Sequence, residues 1–303
     1  MSKKFFIFSD SDLDGICSYI TLCWFLTGEP NIPYKLTTVT KFKQDLEFWQ
    51  KTNKFSDYDK VFFLDMDIGD DIKFIDKKNV VVIDHHKTHV SRIPQYERAT
   101  TVIKEFSSAT KLIFTHFQKL KTLSAPQKML VALADDYDSY TLKVPQSYDL
   151  HIVFYQTQNS ADKSKHEKFI ESFGQGFTGF TEQQKNLARL HRLAIKKVID
   201  DLDVYGGTCS VQSKLVKVYS TVCERAINEV ADHLIKGLNA DIAIVVNPNS
   251  SRVSWRRRHD CDGVDVSKLA EEFTEGGGHE YAAGGKVTEK FLEFTKCLRP
   301  ITK

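Results

Sequence analysis

Three short apolar runs, Phe5–Phe8, Val61–Leu64 and Val80–Ile83, constrain this chain more than any other feature, because each is too short for a buried helix and each is followed closely by aspartate. Continuous runs of strand formers separated by helical patterns are expected of parallel strands covered on both faces. The first run leads into Asp10-Ser11-Asp12-Leu13-Asp14-Gly15 and a helical stretch from about Gly15 to Phe25. The second leads into Asp65 and Asp67, and the third into Asp84-His85-His86. Ligands of parallel sheets collect beyond the carboxyl ends of the strands. If these strands lie side by side, their acidic tails therefore converge on one edge.

Further along, Ser107-Ser108-Ala109-Thr110 opens a capped helix through Leu112, Ile113 and Phe117. Pro126 at the first helical position starts another, through about Leu133. From His151 to Gly179 the chain is polar, then glycine-bearing, with weak periodicity. Leu187, Leu190, Ala194, Val198, Ile199 and Leu202 then recur at helical spacing, and that helix runs into Gly206-Gly207, read as a hinge. Strands follow at Leu215–Tyr219, Asp241–Val246 and Arg252–Trp255, interleaved with helical patterns around Ile227–Leu238 and Val266–Phe273. The expected fold class is α/β. A parallel-sheet N-terminal domain (1–180) is joined by a helical linker and hinge (181–207) to a smaller C-terminal α/β domain with a mixed sheet (208–303).

Composition narrows the function classes. The 303 residues are 41% hydrophobic and 27% charged, enough to bury a real core. A net charge of +2 from 42 basic and 40 acidic residues argues against a histone-like nucleic-acid coat but not against a local basic patch. No apolar run is long enough to span a bilayer. No apolar stretch of signal-peptide length follows Lys3 and Lys4. Cys17, Cys23, Cys209, Cys223, Cys261 and Cys297 form no CxxC pair and read as reduced, mostly buried thiols, so a cytoplasmic protein with no membrane partner is expected.

Carboxylates gathered on one edge repel one another unless cations sit among them. Mixed carboxylate and imidazole donors suit manganese, iron or zinc, whereas carboxylate and water suit magnesium. One aspartate after a strand is an ordinary helix cap. Three such elements after successive strands are not explained that way. Asp135-Asp136-Tyr137-Asp138 adds a fourth cluster at a helix end, where acidic groups oppose the helix dipole, which favours a ligand role for at least one of them. In the C-terminal part, Gly276 to Gly285 is expected to let backbone N–H groups and a helix start approach an anion closely. Arg252, Arg256, Arg257 and Arg258 flank Trp255 and offer guanidinium forks beside an aromatic face.

With these motifs in this order, the chain resembles the DHH phosphoesterase superfamily, in the nano-RNase and RecJ-like group carrying the DHH-associated C-terminal domain. Asp84-His85-His86 is the naming motif. Asp10 to Gly15 looks like the first motif, Asp65 like the second, and Gly276 to Gly285 like the GGGHxxAAG signature. The resemblance implies two divalent ions, usually Mn2+ with Mg2+ or Co2+ as alternatives, held by Asp10, Asp12, Asp14, Asp65, His85 and Asp136, with Asp135 as the rival to Asp136. It implies that Asp65 bridges the ions, that Asp84 orients His85, and that His86 approaches the scissile phosphate. Arg256, Gly277, Gly278 and His279 become the substrate contacts. The family's first motif normally reads HxDxDG; here Asp10 stands in the histidine position, which implies altered metal preference or slower turnover. The function so implied is a manganese-dependent phosphodiesterase that acts on short oligonucleotides or single-stranded nucleic-acid ends by two-metal activation of water. Cyclic-dinucleotide or 3′-phosphonucleotide (pAp-type) hydrolysis, and a catalytically weakened nucleotide-binding protein, are the alternatives.

Overall fold

The protein is described by a computed structural model over residues 3–301. The chain is α/β and divides into two compact units, Met1–Ala188 and Arg189–Lys303.

In the first unit β1 (Phe5–Asp10), β2 (Tyr34–Thr37), β3 (Lys60–Leu64), β4 (Val80–Asp84) and β5 (Thr100–Ile103) form an all-parallel sheet in the order β2-β1-β3-β4-β5. The three apolar runs are thus neighbours, with Phe6 opposite Val61 and Phe63 opposite Val82. Alternate side chains leave opposite faces of a strand. Ile7, Phe62, Leu64, Val81 and Ile83 pack on one side, against a large core that includes α1 (Leu13–Leu26). Phe6, Phe8, Val61, Phe63, Val80 and Val82 pack on the other, against α2 (Phe42–Gln50), and Phe8 stacks on Phe63 with ring centres 4.9 Å apart. Two covered faces are the physical reason these strands read as unbroken apolar runs.

Short helices α3 (Ile72–Ile75) and α4 (Lys87–Val90) follow β3 and β4. Next come α5 (Ala109–Phe117), α6 (Ala125–Asp138), α7 (Pro145–Gln156), α8 (Lys165–Phe173) and α9 (Glu182–Asp200), the last spanning the division between the units. Ser108 caps α5 by accepting from Lys111 N, and Ser124 forms a capping box with Gln127 at α6. Pro126 is therefore the second residue of α6, not the first. That helix runs on to Asp138, so the acidic tract lies within its last turn. The stretch from His151, of weak periodicity, carries the second half of α7 and all of α8. They bury Leu150, Val153, Phe154, Phe169 and Phe173 on their inner faces.

The second unit has a mixed sheet ordered β10-β11-β9-β8-β7-β6-β12. Its strands are β6 (Val204–Val211), β7 (Lys214–Val222), β8 (Ile242–Asn247), β9 (Arg252–Arg257), β10 (Gly277–His279), β11 (Ala282–Lys286) and β12 (Arg299–Pro300). Among the described residues only its β7–β8 pair is parallel. Helices α10 (Ile227–Asp232, continued by a π turn over His233–Gly237), α11 (Val266–Thr274) and α12 (Glu289–Thr295) complete it. Trp255 is fully buried in its core, against Phe291 and Phe294.

Two sequence readings are corrected here. Gly206 and Gly207 are not a hinge; they lie inside β6, paired with Tyr219 and Val218. A Cβ on Gly206 would come within 2.5 Å of the Tyr219 ring, so packing accounts for that glycine. Gly276 to Gly285 contains no helix start. It folds into the β10–β11 hairpin, where a Cβ on Gly276 would fall 1.9 Å from the Gly284 carbonyl oxygen. Among the described residues no helix is long and apolar enough to cross a membrane.

Candidate metal centre

The carboxyl ends of β1, β3 and β4 carry the acidic residues of the first unit. Gly15, in the first turn of α1, lets that turn fold back on the end of β1, since a Cβ there would lie 2.2 Å from the Asp10 carbonyl oxygen. This places Asp14, 3% exposed, where its carboxylate accepts from Ala109 N (2.7 Å) and Thr110 N (3.0 Å). Those are first-turn amides of α5, and a helix N-terminus favours an anion. Asp65 directly follows β3 with a left-handed backbone (φ 59°), which aspartate tolerates better than most residues.

His85 is the hub. Its Nδ1 lies 3.2 Å from the Phe106 carbonyl oxygen, which can only accept, so the ring proton sits on Nδ1. The Nε2 lone pair then faces Asp65 (3.4 Å), Asp138 (3.6 Å) and Asp14 (3.9 Å). These separations are longer than good hydrogen bonds. They match two ligands of one divalent ion, each held at about 2 Å from it. Donor atoms of Asp65, His85 and His86, and again of Asp14, His85 and Asp138, lie within 4.8 Å of one another.

Electrostatics supports the same reading. Burial, reinforced by Asp14, Asp12, Asp138 and Asp84, pushes the Asp65 carboxyl well above the usual carboxylate range. Burial, with Asp14, Asp12 and Asp135, does the same to Asp138. Asp12 is pushed up to about 7 by burial and by Asp10 and Asp14. Carboxyls this crowded hold protons unless a cation neutralises them, and the donor set fits a divalent ion.

Asp12 caps α1, accepting from Gly15 N at 2.9 Å. Asp10 accepts from Ser11 N (2.5 Å) and Asp12 N (3.2 Å). Both interact with Asp14 and His86 through charge but stand beside the two tight donor groups rather than in them.

Two expectations are corrected. Asp136 faces away from the centre: its carboxylate accepts from Thr141 Oγ1 (2.5 Å), Ser147 Oγ (2.6 Å), Lys143 N (3.0 Å) and Val144 N (3.0 Å). Burial opposes its ionisation, yet these four donors hold its carboxyl down at about 2. Asp138 is the aspartate of that tract that meets His85, whereas Asp135 accepts from Ser107 and Ser108. Asp84, in turn, does not orient His85. Its oxygens accept from His86 Nδ1 (2.8 Å) and from His89 Nδ1 (2.6 Å).

His89 was missed. It is fully buried, and its Nε2 meets the Tyr96 hydroxyl at 2.8 Å. With His89 donating from Nδ1, Nε2 accepts from Tyr96, and the string Tyr96–His89–Asp84–His86 leaves His86 Nε2 directed away from it. Burial alone would raise the Asp84 carboxyl, but the two imidazoles hold it far below its ordinary value. Burial lowers His86, and Asp84 more than offsets this, raising it overall.

In the second unit Arg256 of β9 pairs with Ala282 of β11, which pairs with His279 of β10. Residues directly opposite across a ladder share a face, so Arg256 and His279 flank a small residue on one side of the sheet. Arg256 donates to the Trp255 carbonyl (2.9 Å) and to Asn228 Oδ1 (2.7 Å). Gly277 and Gly278 are the first two residues of β10.

Residues 4–135 match the DHH family, N-terminal domain, and residues 212–300 match the DHHA1 domain. Among solved structures, the DHH domain of a member of a ribosomal-protein family has a TM-score of 0.66 at 16% identity, covering 97% of this chain and 86% of that one. The pGpG-specific phosphodiesterase PggH from Vibrio cholerae has a TM-score of 0.55 at 12% identity, with 97% and 96% covered. RecJ from Thermus thermophilus, solved with Mn2+, has a TM-score of 0.53 at 15% identity, with 97% of this chain and 51% of RecJ covered. At such identities the likeness is one of fold. No curated protein matches the chain.

Proposed function

Because the chain belongs to the DHH family and carries a DHHA1 domain, we propose that it is a metal-dependent phosphoesterase that hydrolyses short oligonucleotides or single-stranded nucleic-acid ends, with Mn2+ as its working ion. The observation that carries this reading is the convergence of Asp14, Asp65 and Asp138 on the proton-free Nε2 of His85. Asp14, Asp65, His85 and Asp138 would hold divalent ions, with Asp10 and Asp12 adding negative charge beside them. Bound there, such ions acidify water and neutralise charge on phosphoryl oxygens.

The chain's own groups supply the rest. His86 belongs to the donor group with Asp65 and His85, and Asp84 fixes its proton on Nδ1, which leaves Nε2 as the nitrogen that can take up a second proton. When protonated, His86 can donate from that nitrogen to a phosphoryl oxygen or to a leaving oxygen. In the DHHA1 unit Arg256 offers a guanidinium fork for a phosphate, and His279 a second donor on the same sheet face. The proposed DHH domain is 1–180, and the proposed linker starts at 181 and ends before β6, the first strand of the DHHA1 unit's sheet.

The test is hydrolysis of an end-labelled RNA and DNA series from dinucleotide upward, alongside a cyclic dinucleotide, in Mn2+, Mg2+ or Co2+, with His85→Ala as control. Stepwise loss from short oligomers, absent in the control, supports the reading. No turnover of any substrate with any of these ions sinks it, and preferred turnover of the cyclic dinucleotide replaces the substrate class.

A further inference from the structure

The first unit carries aromatic residues that the metal centre does not use. Tyr148, His151 and Tyr155 stand at helical spacing along α7, which buries Ser147, Leu150, Ile152, Val153 and Phe154. His151 stacks on Tyr137 of α6 with ring centres 3.9 Å apart and planes 17° from parallel. Tyr155 lies against His151 at 4.5 Å with its plane tilted by 48°, and Tyr148 lies in a nearly parallel plane, offset at 6.3 Å. None of the four is fully buried, and Tyr155 is 43% exposed.

Two independent links tie this face to the acidic centre. At one end Tyr137 directly precedes Asp138, whose Oδ2 lies 3.6 Å from His85 Nε2. At the other, the Lys165 ammonium sits 4.9 Å from the centre of the Tyr155 ring, and the neighbouring His166 contacts the Ser11 carbonyl at 3.3 Å, between Asp10 and Asp12. The order is thus ring stack, cation, carboxylate cluster. Aromatic faces bind any base by stacking, and a nearby cation suits the backbone phosphate that joins that base to the next nucleotide.

We propose that Tyr155, backed by His151 and Tyr137 and flanked by Lys165, is a nucleobase-stacking subsite that holds one base of a nucleotide whose phosphate reaches the carboxylate cluster. The inference rests on the phosphoesterase reading for its substrate class, but its test has a reading of its own. Binding of adenosine 5′-monophosphate and of ribose 5-phosphate is measured by calorimetry on the full chain with Mn2+, for the wild type, Tyr155→Ala and Tyr155→Phe. The nucleotide should bind the wild type roughly 10- to 100-fold more tightly than the baseless phosphate, the scale of one base stacked on one ring. Tyr155→Ala should lose most of that preference while leaving ribose 5-phosphate binding unchanged, and Tyr155→Phe should keep it. Equal affinities for the two ligands in the wild type, or a preference unaltered in Tyr155→Ala, overturn the subsite. Preference for the nucleotide without turnover of any phosphodiester upholds the subsite and removes the phosphoesterase reading. Turnover without that preference does the reverse.

Discussion

Asp84 accepts a hydrogen bond from His89 at 2.6 Å in a pair where neither side chain reaches solvent. Deleting the donor strands a buried carboxylate oxygen, and losing a hydrogen bond to a charged group typically costs about 1.5–3 kcal/mol. His89→Leu, close in size, should therefore shift the urea midpoint by that order, whereas Tyr96→Phe, which removes one hydroxyl donor, should cost only about 1 kcal/mol. The pH dependence follows the depressed Asp84 carboxyl. Its stabilising contribution is present above the unfolded value near 4 and is lost as pH falls through the lower folded value. His89→Leu lifts that folded value, so the variant should unfold in acid at higher pH than the wild type. If His89 were only core filling, leucine would be tolerated within about 1 kcal/mol and the acid transition would not move.

The metal-free protein should become less stable as pH rises. Asp12, Asp65 and Asp138 all have folded values raised above that of the unfolded chain, Asp12 to about 7. Such groups contribute stability that is complete below the unfolded value near 4 and is lost as pH climbs through the folded values. Melting temperatures measured in chelator should fall between pH 5 and pH 8, and added Mn2+ should raise them more at pH 8 than at pH 5. Asp10→Asn keeps an acceptor for the amides of Ser11 and Asp12 but removes one charge that raises Asp12, so the fall should be shallower in that variant. A flat profile in chelator, with no Mn2+ effect at either pH, would show that these carboxyls do not form a cation site.

How much of this was legible depended on the local signal. β1, β3 and β4 were readable because both faces of each are buried, leaving unbroken runs such as Val80–Ile83. β2 was not, since Tyr34-Lys35-Leu36 is only half-buried in the sheet. Gly206-Gly207 carries the same dipeptide whether it bends freely or makes room for the Tyr219 ring, and only the packing decides. The Asp135 to Asp138 tract was misread for a different reason. Ending the helix near Leu133 left its aspartates without a defined face; once α6 runs to Asp138, Asp135 and Asp138 are three apart and share a face while Asp136 turns aside. His89 had no sequence signal at all, because one histidine two residues beyond Lys87 says nothing about the carboxylate it will meet.

That assignment yields the sharpest contrast between two neighbouring aspartates. Asp136 holds the segment after α6 through four hydrogen bonds, whereas Asp138 faces His85 with its side chain 27% exposed. Asp136→Ala should destabilise the fold by about 2–4 kcal/mol, since hydrogen bonds to a charged group contribute roughly 1.5–3 kcal/mol each and are not additive. Its effect on Mn2+ affinity, measured by calorimetry where the variant is folded, should be small. Asp138→Ala removes one repelling carboxylate and should leave the metal-free protein as stable as the wild type, or slightly more so, while weakening Mn2+ binding at least about tenfold, the loss of a direct ligand being no smaller than the loss of an outer-shell partner. Both effects belong to one experiment, a Mn2+ titration followed by thermal melts of the two variants. Weaker metal binding in Asp136→Ala with none in Asp138→Ala would restore Asp136 as the ligand and require the end of α6 to turn over when the ion binds.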